Sequence, residues 1–400
     1  MVIETRITQG ETRKGSIAQF SVLETIFWAS LCTLAFNVLL LRDSGFTSVE
    51  VGLMMAINNV VAIIAPIIWG YLADRFNRIK TLFLIANVLV MFSTLVLPFC
   101  ADRTVLGVPL IAVTMAVFQM AYAGSYSLLD AWVVSMCNER KGKWIYSHIR
   151  MWGAVGYAFV SMLLTYVAQQ SSIRIAYYTA VVISIGVLIW TSKMPEPESA
   201  ERLRKEKERV MVFELLKRPK YVLLLVYNFI FHISLYAAST FIPYLMSEVG
   251  LDASFASALS GIRGLAEIPI YIASAFLIRK IKPQRLLILA GVLYCVEHAS
   301  YLVATNLSMV IAAQILGGLA YGMFLSVAPQ TAASLAPEPL HASSQTLMAS
   351  LVFAGNIVAS FLSGWIIEIG SAEILYTVTA VLQVFVTIFY TASTLVQPIK

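Results

Sequence analysis

Twelve apolar runs, each long enough to cross a bilayer as a helix, follow one another along this 400-residue chain. They lie at about 19–41, 49–73, 81–101, 106–136, 146–169, 175–192, 221–246, 253–278, 286–305, 307–335, 344–368 and 373–396. A spanning helix needs ~20 predominantly apolar residues. Backbone polar groups in hydrocarbon must be satisfied within a helix or within a closed barrel. Barrel strands would alternate in polarity over ~10 residues, and these runs do not. Composition removes the soluble alternative: 59% of the residues are hydrophobic and only 12% are charged, whereas soluble domains carry roughly a quarter charged residues. The chain is expected to be an all-α polytopic membrane protein with twelve transmembrane helices.

The distribution of basic residues sets the orientation. Of 28 Lys and Arg, 23 fall in the two termini and the even-numbered loops. The odd loops hold only Arg42, Arg103 and Arg174, while Arg150 and Arg263 lie inside apolar runs. Cytoplasmic loops carry the Lys/Arg excess, so both termini are expected in the cytoplasm of a cell-membrane protein. The same bias accounts for the net charge of +6, and no nucleic-acid partner follows from it. The first residues are polar up to about Ser16 with no short apolar stretch and cleavage site, so no signal peptide is expected. Cys32, Cys100, Cys137 and Cys295 fall singly on different segments, with neither disulfide nor metal spacing. No phosphate-cradling loop or nucleophile elbow occurs, so neither an enzyme, an ATP-driven pump nor a bound cofactor is expected.

A polar stretch, 193–220, separates runs six and seven. Its mixed charges from Glu201 to Arg209, followed by Val210, Val212, Leu215 and Leu216, read as a solvated linker carrying an amphipathic surface helix. Three parts result: an N-terminal six-helix bundle over 1–192, the linker, and a C-terminal six-helix bundle over 221–400. The halves are alike at an offset of 204, where Arg75-Phe76-Asn77-Arg78 lies over Arg279-Lys280-Ile281-Lys282 and Leu82–Leu89 over Leu286–Leu293. Two pseudo-symmetric bundles with a solute site between repeats is how many secondary transporters are built.

Between runs two and three stands Gly70-Tyr71-Leu72-Ala73-Asp74-Arg75-Phe76-Asn77-Arg78-Ile79-Lys80. A generic cytoplasmic loop explains its basic residues but not the embedded acid or the Gly. The spacing GxxxDRxxRxK resembles the signature loop of the major facilitator superfamily of transporters. The resemblance implies a gating role for Gly70, Asp74, Arg75 and Arg78, with Asp74 accepting from a neighbouring helix N-terminus or from Arg78. In the second half Ile278 stands where the first has Asp74.

Six ionisable residues fall inside apolar runs: Glu24, Asp130, Arg150, Arg263, Glu267 and Glu297, with His232 and His298 nearby in kind. Each costs ~2.5–3.5 kcal/mol on insertion scales, so each needs a partner or a wet cavity. Asp130 and Arg150 lie ten residues either side of the turn near Arg140, at one depth of an antiparallel hairpin. Arg150-Met151-Trp152-Gly153-Ala154-Val155-Gly156-Tyr157 resembles the lactose permease and phenylpropionate permease branch of the superfamily. By that resemblance Asp130 accepts from the solute, Arg150 donates to it, and Tyr157 and Trp152 offer ring faces. A plain hairpin salt bridge is the alternative, and packing is the default for Trp132. Arg263 and Glu267 share a helix face at i and i+4. The Glu267-Ile268-Pro269 run is similar to the helix 8 acid of the same branch, which makes Glu267 the expected proton carrier. Where that branch has an Arg on helix 9, this chain has Glu297, followed by His298; where it has a coupling His on helix 10, this chain has Gly317. Lactose is thereby disfavoured, and coupling is expected to run through Arg263, Glu267, Glu297 and His298. Glu24, near the start of run one, reads as snorkelling to the interface.

The expectation is proton-coupled symport of a sugar, nucleoside or aromatic acid by alternating access, by a monomer in a lipid bilayer. An exporter of drugs or sugars is the second reading, though run five lacks the Pro of drug antiporters. A non-transporting sensor is the third.

Overall fold

The computed structural model describes residues 16–100, 103–105, 107–139, 146–194, 213–337 and 340–396. The basic terminal residues and most of the 193–220 linker, with its expected amphipathic helix, lie outside the described residues. Fifteen α-helices make up nearly all of the rest: α1 (Ile17–Ser30), α2 (Asn37–Asp43), α3 (Ser48–Phe76), α4 (Ile79–Val96), α5 (Leu110–Glu139), α6 (Tyr146–Gln170), α7 (Ile173–Ser192), the short α8 (Phe213–Leu216), α9 (Pro219–Thr240), α10 (Ile242–Glu248), α11 (Ala256–Lys280), α12 (Pro283–Leu302), α13 (Leu307–Leu335), α14 (His341–Ile369) and α15 (Ala372–Val396). Strands β1 (Thr104–Val105) and β2 (Val108–Pro109) form a two-residue antiparallel ribbon before α5.

Among the described residues, eleven helical segments are long and apolar enough to cross a membrane. The twelfth expected span is α11, which at 25 residues is long enough. Its Arg263, Glu267, Ser and Gly content lowers its apolarity, which is where a polar site in a bundle would show. The first span is built from α1, a 3-10 turn over Cys32–Phe36 and α2. Ser30 Oγ and Cys32 Sγ donate back to Phe27 and Trp28 carbonyls there, a side-chain competition that bends helices.

Local sequence signals fix the helix ends. Ser16 and Gln19 form a reciprocal capping box at the start of α1, and Asn306 caps α13 through Met309 N–H. Asn77, at φ 51°, occupies the left-handed region. Asn tolerates that conformation better than most residues, and it lets α3 reverse into α4 within two residues. The internal repeat extends to the turns. Gly45 (φ 84°) and Gly250 (φ 75°) close α2 and α10, with Phe46 N–H bonding Leu41 O and Leu251 N–H bonding Met246 O at matching places.

The described helices form two compact units. One gathers the described parts of Met1–Leu34 and Val61–Glu206; the other gathers Ala35–Val60 with the described parts of Lys207–Lys400. In the first, α1 packs on α6 and α7, and α4 on α5 and α7. In the second, α9 packs on α14 and α15, and α12 on α13 and α15. These are the same pairings in the same order, so the repeat seen in sequence is also a repeat of packing. The first unit centres on Phe20, Phe27, Phe83 and Trp132. The second centres on stacked rings, Tyr227 on Tyr390 at 4.3 Å and Phe231 on Phe324 at 4.2 Å. The first part of α3 belongs to the second unit, where a Cβ at Gly52 would stand 3.0 Å from the Gly364 Cα of α14. Large apolar side chains such as Ile67, Phe159, Ile272 and Val381 are exposed, as a lipid-facing surface requires.

Candidate functional site

In the first unit two glycines let α1 and α6 touch. A Cβ at Gly156 would lie 2.2 Å from the Thr25 carbonyl oxygen, and one at Gly153 would lie 2.4 Å from Trp28 Cδ1. This close approach sets the Arg150 guanidinium over the Trp28 ring at 4.1 Å, a cation–π geometry. Trp28 meets Tyr126 edge-on at 5.5 Å and Tyr122 at 6.5 Å, both from α5. Asp130, one turn beyond Tyr126, is half-buried and accepts from the Tyr146 hydroxyl at 2.6 Å. Arg150 and Asp130 act on one another electrostatically. They close no ion pair, since the pairs among the described residues are Arg42–Asp43 and Arg263–Glu297.

Glu24 corrects the snorkelling expectation. It is fully buried, one turn before Trp28, and neither carboxylate oxygen has a hydrogen-bond partner. It points into the bundle, with Arg150 and Asp130 as the charges acting on it, because α1 packs against α6 and α7 at this level. The Trp28 indole N–H also lacks a partner. Trp152, 43% exposed, stands about 200° round the helix from Arg150, so the ring facing the guanidinium is Trp28. Tyr157 is half-buried, and its carbonyl accepts from Cys32 Sγ at 3.1 Å. Trp132 is core, edge-on to Phe20 at 5.3 Å.

In the second unit Arg263 of α11 and Glu297 of α12 form a buried ion pair, Nη1 to Oε1 at 2.6 Å. The guanidinium also donates to Gln314 Oε1 at 3.2 Å and the Tyr294 hydroxyl at 2.9 Å, and Tyr301 donates to the same Glu297 oxygen at 3.0 Å. Glu297 Oε2 has no partner. Space for this carboxylate comes from α13, where a Cβ at Gly317 would fall 2.2 Å from Glu297 Oε1. Gly318 likewise brings α13 against the Arg263 carbonyl, 2.3 Å from an added Cβ. Glu267 is half-buried and accepts from Tyr271 at 2.7 Å. His298 is buried, with Nδ1 2.8 Å from the Tyr294 carbonyl and Nε2 3.4 Å from the Ser234 carbonyl. His232 uses Nδ1 on the Asn228 carbonyl and leaves Nε2 buried without a partner.

At the turn from α3 to α4, Asp74, Arg75 and Arg78 are exposed. Arg75 stacks on Phe76 at 5.8 Å, and Lys80 donates to the Ser192 and Met194 carbonyls. An added Cβ at Gly70 meets nothing within 4 Å. Sequence reasoning named Glu24 but turned it to the interface, and it missed Trp28 and the Arg263–Glu297 pairing. The signal for the last was present in Gly317, where a missing side chain implies that another group fills the space.

Two aromatic-backed arginines, each with acids and tyrosine hydroxyls, form polar clusters inside otherwise apolar helical bundles. Buried polar clusters of this kind, in helices long and apolar enough to span a bilayer, fit a membrane protein that handles a polar solute. The family described as MFS_1 like matches residues 19–378, and the chain belongs to it. It is 22% identical over 350 residues to the uncharacterized transporter YwbF of Bacillus subtilis (strain 168), covering 87% of this chain and 85% of that one. It is 23% identical over 362 residues to the maltose permease of Geobacillus stearothermophilus, covering 88% of each. Among solved structures, the nucleoside transporter NupG superposes with a TM-score of 0.77 at 14% identity, over 94% of this chain and 98% of that one. The D-xylose-proton symporter superposes at 0.69 and 13% identity, over 94% of each.

Proposed function

We propose that the protein takes up a neutral, hydroxyl-bearing solute, a sugar or a nucleoside, together with a proton by alternating access. The carrying observation is the Arg150 guanidinium, laid over Trp28 and bonded to no carboxylate. A planar fork of donors over an aromatic face, with Asp130 as acceptor nearby, suits a ring bearing several hydroxyls. The charge balance chooses among solutes. The first unit sets Glu24 and Asp130 against Arg150; the second sets Glu267 and Glu297 against Arg263. An aromatic acid would add a carboxylate to a cluster already rich in acid, whereas a sugar or nucleoside adds no charge. The named substrates of the maltose permease, NupG and the xylose symporter support the same solute class.

In this reading Asp130 and Arg150 bind the solute, with Trp28 as the ring face in place of Trp152, and with Tyr157 in a supporting role. Glu267 carries the coupling proton, Arg263, Glu297 and His298 are its relay, and Gly70, Asp74, Arg75 and Arg78 gate the conformational change. The protein works as a monomer in the cell membrane with both termini cytoplasmic, as two six-helix bundles, 1–192 and 221–400, joined by 193–220. A thermal-shift screen of the purified protein against neutral sugars, nucleosides and aromatic carboxylates tests the solute class. A ligand at 100 times its dissociation constant stabilises by ~2.7 kcal/mol, so a neutral solute should raise the transition. Stabilisation by aromatic carboxylates alone would overturn this reading.

A further inference from the structure

A cleft of about 720 Å³ lies at one end of the second unit, walled by the junction of α8 with α9, the start of α12 and the last turn of α13. The candidate spans Pro219–Thr240 and Pro283–Leu302 begin there, and Leu307–Leu335 ends there. The cleft therefore stands at the level where hydrocarbon gives way to headgroups. Four of its lining side chains are cations, Lys217, Arg218, Lys220 and Lys282, and among the described residues no acid lines it. Lys217, Arg218 and Lys282 are exposed and enter no ion pair among the described residues. Arg218 donates to the Leu335 carbonyl at 3.4 Å, which ties the α8–α9 junction to α13. Gln284 and Ser334 add groups that can donate as well as accept. Both α9 and α12 open without a side-chain cap, so the positive ends of two helix dipoles strengthen the same field. An excess of basic residues at one membrane face explains cations at this end but not their convergence on one cleft, since Arg279, Lys280 and Arg285 are exposed outside it. At the matching turn of the first unit, Lys80 is instead engaged by the Ser192 and Met194 carbonyls.

We propose that this cleft binds the phosphate of an anionic phospholipid through Lys217, Arg218, Lys220 and Lys282. Like charges gathered around one space repel, and a phosphate relieves that repulsion while accepting charge-assisted hydrogen bonds from several donors at once. The ligand chemistry is a phosphate anion, and the position of the cleft at three span ends assigns it to a lipid headgroup rather than to a free phosphate. Its volume falls in the range of pockets that enclose an organic ligand. Bound there, the headgroup would hold the junction entering α9 against the turn entering α12. None of the residues assigned to solute, proton or gate lines the cleft, so the proposal stands apart from the transport reading.

Native mass spectrometry of the purified full-length protein, titrated with phosphatidylglycerol, phosphatidylcholine or inorganic phosphate, counts each bound species. The expected result is a phosphatidylglycerol adduct at concentrations where phosphatidylcholine gives none. Lys217→Gln combined with Lys282→Gln should weaken that adduct about tenfold or more, the scale on which near-surface cations hold anionic lipid. Arg279→Gln combined with Arg285→Gln removes the same charge from exposed positions outside the cleft, and should leave the adduct in place. Lys217→Arg combined with Lys282→Arg keeps both charges, guards against a loss caused by misfolding, and should retain it too. Equal weakening by the two Gln pairs would mean diffuse attraction to a basic surface and would overturn the proposal. Displacement of the lipid by inorganic phosphate would assign the cleft to a free anion, and equal binding of phosphatidylcholine would deny it any charge selectivity; either result would overturn it as well.

Discussion

At the scale of single residues, glycines and arginines decide the site. Gly153, Gly156 and Gly317 matter for what they lack. The first two let Trp28 reach Arg150, and the third makes room for the Glu297 carboxylate. Gly317→Ala should destabilise by about 1–3 kcal/mol, the usual cost of overpacking a filled interior, because its Cβ would overlap Glu297 Oε1. Gly264→Ala, where an added Cβ meets nothing within 4 Å, should be neutral or stabilising, since Gly in a helix costs roughly 0.5–1 kcal/mol relative to Ala. Thermal unfolding of the two variants side by side checks the difference, and equal effects would deny Gly317 its role. For the solute, Arg150→Ala should abolish binding and Arg150→Lys should rescue it poorly, because an ammonium cannot replace a planar fork. Asp130→Asn should be nearly as damaging. Calorimetric titration with a solute found by thermal shift reads this directly; normal binding by Arg150→Ala and by Asp130→Asn would move the site elsewhere. Asp130 and Arg150 were legible from their equal distances to a turn. Glu24 was not, because a sequence gives its depth along a helix but not which way it faces. Only the packing of α1 on α6 turns it inward.

At the scale of elements, the spans could be read closely from apolar length, since lipid leaves a helix few alternatives. Run five, expected at 146–169, is α6 at Tyr146–Gln170, and run twelve, expected at 373–396, is α15 at Ala372–Val396. What the runs concealed were breaks. The first span bends at Cys32–Phe36, the seventh run ends as α9 and then α10, and neither interruption carries an internal charge to mark it. The β1–β2 ribbon was invisible because two-residue strands have no periodicity to show. The repeat, by contrast, was legible because it carries its basic turn with it, and Gly45 and Gly250 extend it to the ends of α2 and α10. The turn from α3 to α4 puts Asp74 at the surface while Asn77 tightens the reversal. Asp74→Asn should therefore slow transport severely while leaving equilibrium solute binding intact, as expected of a group that biases conformations and touches no substrate. Proteoliposome exchange at the wild-type rate by Asp74→Asn would remove the gating role.

At the scale of the whole molecule, the account describes a carrier whose two units each hold an arginine among acids and aromatic hydroxyls, and which belongs to a family of transporters. Fold and family follow from the helices, but the driving force depends on which acid exchanges its proton with solvent. Glu267 is half-buried on α11, hydrogen-bonded to Tyr271, one turn from an arginine already engaged by Glu297. Glu267→Gln mimics the protonated form permanently, so the loaded carrier can still exchange solute across the membrane but cannot return empty and unprotonated. The most direct measurement is paired transport by wild type and Glu267→Gln in proteoliposomes, with a radiolabelled neutral solute taken from the thermal-shift screen. The account predicts that the wild type accumulates the solute under an imposed pH gradient, and that Glu267→Gln loses accumulation while retaining counterflow. Accumulation by Glu267→Gln at the wild-type level, or a wild type indifferent to the pH gradient, would contradict it.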